Sequence, residues 1–113
     1  MKNKILLLAV AVSSLTMASC AKRPGAIVPV DIPMAAYSNL SCPQLSQELI
    51  KEQGKLSSLS SAQNNAATGD AVGVFLIGVP ASSLTGGDKE GDISVSKGKV
   101  ISIESTLKAK GCR

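Results

Sequence analysis

Leu45, Leu49, Leu56 and Leu59 follow one another at spacings of 4, 7 and 3, and Ala62 and Ala66 extend the row. On a helix this is one narrow apolar stripe. Ile93, Val100, Ile103 and Leu107 make a second, at spacings of 7, 3 and 4. Neither stripe is broad enough to hold a helix in water by itself, because most helical stability comes from packing one face against something. Two stripes satisfy each other in an antiparallel hairpin. The expected fold class is therefore all-α: a two-helix hairpin with a glycine-containing apolar segment at its tip. One Tyr, one Phe and no Trp in 113 residues exclude a thick globular core. A chain this small needs a further staple.

The helix ends are written locally. Ser41 precedes Cys42-Pro43, and Gln44 follows the serine by three positions. That is a capping box with proline in the first turn. The pattern predicts a helix from about Cys42 to about Ala67, with Glu52 and Gln63 interrupting its stripe. Gly54 within it costs about 1 kcal/mol. The second segment opens on Asp88, Glu90 and Asp92 and closes on Lys108 and Lys110, which suits a helix dipole. Alternation in "KVISIES" also fits a strand. The heptad spacing and the charge asymmetry decide for helix, with Val95 and Ile101 off the stripe.

The N-terminus belongs to export rather than to the fold. Lys2 and Lys4 form a basic start, Ile5 to Val12 an apolar run, and small residues lead into Met17-Ala18-Ser19-Cys20. That last tetrad resembles the lipobox of bacterial lipoproteins, although Met17 stands where that family prefers leucine. The resemblance implies cleavage before Cys20, a diacylglycerol on its thiol and an acyl group on the new amine. Two or three chains anchor firmly where one does not. Ala21 in place of aspartate implies sorting to the periplasmic face of the outer membrane rather than to the inner membrane. The expected organisation is a signal at 1–19, a lipidated cysteine with a proline-rich tether at 20–40, and a hairpin domain at 41–112. "YSNLSCPQL", the central apolar run, "GGDKEG" and "KGC" also resemble small helical lipoproteins of proteobacteria. That resemblance implies no particular activity.

With Cys20 acylated, Cys42 and Cys112 remain as a pair. One opens the first helix and the other follows the second, so an antiparallel hairpin brings them together. An exported protein meets an oxidising compartment, and a disulfide is the expected outcome. A register that opposes Cys42 to Cys112 sets Ala66 beside Asp88.

The chain has no histidine, so Ser-His-Asp and Cys-His arrangements are excluded. Two thiols alone lack the ligands for zinc. "GGDKEGD" fails as a calcium loop, since Ile93 and Lys99 occupy the positions needing glycine and glutamate. Asp70 stands as an isolated carboxylate with no evident partner. No enzyme, metal or cofactor is expected. Loss of Lys2 and Lys4 with the signal lowers the net charge from +4 to +2, which does not point to nucleic acid. The expected partners are a membrane, through the acyl chains, and an envelope protein or a second copy.

"AVGVFLIGVP", residues 71–80, holds the only phenylalanine. As a short helix ended by Pro80 it climbs roughly 15 Å, half of a bilayer core of about 30 Å. Two readings stand. It folds as an apolar cap onto the hairpin or another copy, or Val72, Phe75, Leu76 and Val79 form a tip that enters a membrane or a partner's groove. The corresponding functions are a structural or interaction protein of the envelope, and a membrane-active lipoprotein that inserts into or bridges bilayers.

Overall fold

The computed structural model describes residues 20–78 and 86–112. Its frame is helix α1, Cys42–Ile77, packed antiparallel against helix α2, Glu90–Ala109. No strand occurs among the described residues, so "KVISIES" is helical. The molecule is elongated, 68 × 25 × 18 Å.

The start of α1 follows its local code. The Ser41 hydroxyl accepts from the Gln44 N–H at 3.4 Å, and the Gln44 side-chain oxygen accepts from the Ser41 N–H at 2.9 Å. α1 then runs unbroken to Ile77, ten residues past its predicted end, and Gly78 caps it in a left-handed conformation. The chain stays helical through Gly69. A glycine costs a helix about 1 kcal/mol. Contacts from Arg23 to the Asn64 carbonyl and the Thr68 hydroxyl hold this stretch, 3.1 and 3.2 Å away.

α2 ends in a Schellman turn. Gly111 N–H donates to the Lys108 carbonyl and Cys112 N–H to that of Leu107. The motif requires a left-handed residue, which Gly111 supplies with φ 68°. It delivers Cys112 to Cys42, and the two form a disulfide with Cα atoms 5.6 Å apart. Lys110 and Gly111 form this turn instead of continuing the helix. The register is accordingly about one turn off the expected one, and Gln63 rather than Ala66 meets Asp88.

The interior is thin. Leu45, Ile93 and Ile103 are fully buried, with Ala66 and Ala67 nearly so. Leu49, Leu56, Leu59, Val100 and Leu107 are half-buried, and Ala62 faces solvent. Off-stripe Val95 and Ile101 are exposed, as their positions imply. Glu52, Gln63, Asp70, Ser96, Ser102 and Thr106 are buried among the apolar groups.

The segment before α1 differs most from expectation. Read as a tether, it lies instead along the hairpin as a strap. Ile27 is buried. Lys97 donates its ammonium to the carbonyls of Pro24 and Ile27 at 2.6 and 2.8 Å. Ser94 donates its hydroxyl to the Val28 carbonyl, and its own carbonyl accepts from the Val30 N–H. Lys110 reaches the Leu40 carbonyl at the base. The prolines remove donors that an extended segment would otherwise have to satisfy, and the remaining carbonyls find lysines and serines.

Candidate functional site

Three regions carry the residues singled out by sequence: the base, the junction where the strap begins, and the overhanging end of α1. The base is the Cys42–Cys112 disulfide described above, which closes a separation of 70 residues.

The junction is built on Gln63 and Asp70, both fully buried. Gln63 sits where helix α2 begins. Its amide nitrogen donates to the Lys22 carbonyl at 2.7 Å and to the Asp88 carboxylate at 2.9 Å. Its amide oxygen accepts from the Lys89 N–H at 2.6 Å. One side chain thus ties the strap, α1 and the entry to α2. Asp88 also accepts from the Glu90 N–H at 3.0 Å, a turn closed by its carboxylate at the entry to α2. Two turns further along α1, Asp70 accepts from the Ala21 N–H at 2.6 Å. The carboxylate read as isolated is therefore engaged, and it fixes the residue after Cys20. Ala21 packs against Ala66 and Ala67. Lys22 and Glu90 form an ion pair of 2.9 Å at the rim, with both side chains substantially exposed. Such a pair contributes at most about 1 kcal/mol.

Cys20 is half-buried at the head of this junction, with a free thiol. The sequence marked Gln63 only as an interruption of a stripe. That polar residue at an inward position was the available signal. Its partners are largely backbone groups, which leave no trace in side-chain patterning.

The overhang is the part of α1 beyond Gln63, where α2 has not yet begun. Fourteen further residues extend it about 21 Å. Ala66, Ala67, Asp70 and Gly73 are buried, while Val72, Val74, Phe75 and Leu76 are 50%, 39%, 87% and 69% exposed. Val72, Phe75 and Leu76 stand at i, i+3 and i+4, one continuous stripe, and Val74 is exposed on the Asp70 side. Val79, the fourth residue of the predicted tip, lies outside the described residues, as does Pro80.

No group of three or more metal-binding side chains occurs among the described residues. No described helix is long and apolar enough to cross a membrane. No family model matches this chain, and no curated protein or solved structure is significantly similar to it.

Proposed function

We propose that the mature protein is a lipid-anchored component of the bacterial envelope, held by acylated Cys20 at the periplasmic face of the outer membrane. It acts by contact rather than by catalysis. The observation that carries this reading is the apolar run ending in Met17-Ala18-Ser19-Cys20. The residue after Cys20 is held in the fold: Ala21 is buried and its N–H donates to the Asp70 carboxylate. The buried carboxylates Glu52 and Asp70 serve as acceptors, one from the Ser96 hydroxyl and the other from the Ala21 amide. This employs them in holding the fold.

Mass spectrometry of the mature N-terminal peptide tests the anchor. An acylated Cys20 is the expected result. An unmodified N-terminus at any other residue overturns it. A second reading, a membrane-active protein, draws support from the exposed Val72, Phe75 and Leu76.

A further inference from the structure

Resting on the anchoring reading, we infer that the apolar end of α1 enters the same leaflet that holds the acyl chains on Cys20. It does not reach for a second membrane. The argument begins with the Ala21–Asp70 hydrogen bond, which puts Cys20 beside the overhang. Phe75 lies five residues further along the helix, about 7.5 Å in axial distance. The disulfide lies 28 residues the other way, about 42 Å. Anchor and apolar stripe thus share one end of an elongated molecule, and the closed base occupies the other.

The dimensions fit an interface. Residues 71–77, AVGVFLI, contain no charge. They advance about 10 Å past Asp70, a depth contained within one leaflet. They fall well short of the roughly 30 Å core. The stripe and Asp70 lie on different sides of α1, so an end-on entry sets the stripe and the acyl chains side by side in the leaflet. Acyl chains and stripe then act together as two membrane signals, and the exposed apolar surface is covered by lipid.

The absence of tryptophan supplies the test. The lipidated full chain carrying Phe75→Trp is reconstituted in phosphatidylethanolamine–phosphatidylglycerol vesicles, and an Ile50→Trp protein serves as control. Ile50 is 70% exposed and about 30 Å along α1 from Asp70. Brominated lipid should quench the residue-75 fluorophore, and acrylamide quenching there should fall several-fold against the residue-50 fluorophore. Shielding from acrylamide without quenching by bromolipid means that protein, a second copy included, covers the stripe, and overturns the inference. Full acrylamide access at 75 with Cys20 shown by mass to be acylated overturns the inference alone. An unacylated Cys20 overturns the anchoring reading first, and this one with it. Cross-linking of separate vesicles by the lipidated protein, read as turbidity, would mean that the stripe reaches a second bilayer.

Discussion

Gly98 is where the strap touches α2 most closely. A Cβ there would overlap the Val30 carbonyl oxygen, so only glycine lets the two backbones meet. Gly98→Ala sets a helix gain of up to about 1 kcal/mol against an overpacking loss of about 1–3 kcal/mol. The expected net effect is a lower melting temperature with faster amide exchange at Val30, whose N–H bonds the Ser94 carbonyl. Unchanged exchange at Val30 would show that the strap is not held there. Ser102 presents the opposite case. Its hydroxyl is buried without a partner among the described residues. Ser102→Ala removes an unsatisfied polar group and adds a better helix former, and should stabilise by about 1 kcal/mol in denaturant titration.

At the scale of elements, the two helices were legible and the strap was not. Ser41, Pro43 and Gln44 announce the start of α1, and the spacing of Ile93, Val100, Ile103 and Leu107 announces the inner face of α2. Both signals are local. The strap depends on carbonyls of Pro24, Ile27, Val28 and Leu40 meeting Lys97, Ser94 and Lys110 far along the chain. Every residue has a carbonyl, so composition carries no mark of which will be used. The overhang was half legible: its apolar run was visible in sequence, with the cap and tip readings both open, but not its continuity with α1. Tyr37, on the strap, offers a handle on docking. Burial raises its phenol above the ordinary 10.0, and the negative charges of Glu52 and Glu48 add to this. The fold thus favours the neutral phenol. That contribution to stability is fully present below pH 10 and is lost as pH rises through the raised value. Since Tyr37 is the only tyrosine, phenolate absorbance reports it directly. Its midpoint should lie above that of the urea-unfolded chain, and Tyr37→Phe should reduce the alkaline loss of stability. Equal midpoints would show that the strap does not bury the ring in solution.

For the whole molecule, the disulfide compensates for a thin interior. Few large side chains are fully buried, and several inward positions are polar. Closing a loop of this length contributes about 4 kcal/mol in the chain-entropy account, with measured losses on removal of about 2–5 kcal/mol. Cys42→Ser with Cys112→Ser should therefore lower the denaturant midpoint steeply, and at 37 °C leave little folded protein. Alkylation of the unreduced native protein should label neither thiol; labelling of both would contradict the closed base. The covalent ring spans 42–112, and the strap lies wholly outside it, between Cys20 and Cys42. This sets a mechanical hierarchy. Tension between residue 20, acylated as proposed, and the hairpin loads the Ala21–Asp70 bond first and then the strap's contacts in turn. The ring bears no load until the strap has run out. The 22 residues from Cys20 to Cys42 span roughly 70 Å when extended, so a pull applied at residue 20 of the proposed lipoprotein lengthens the molecule while the covalent ring stays closed.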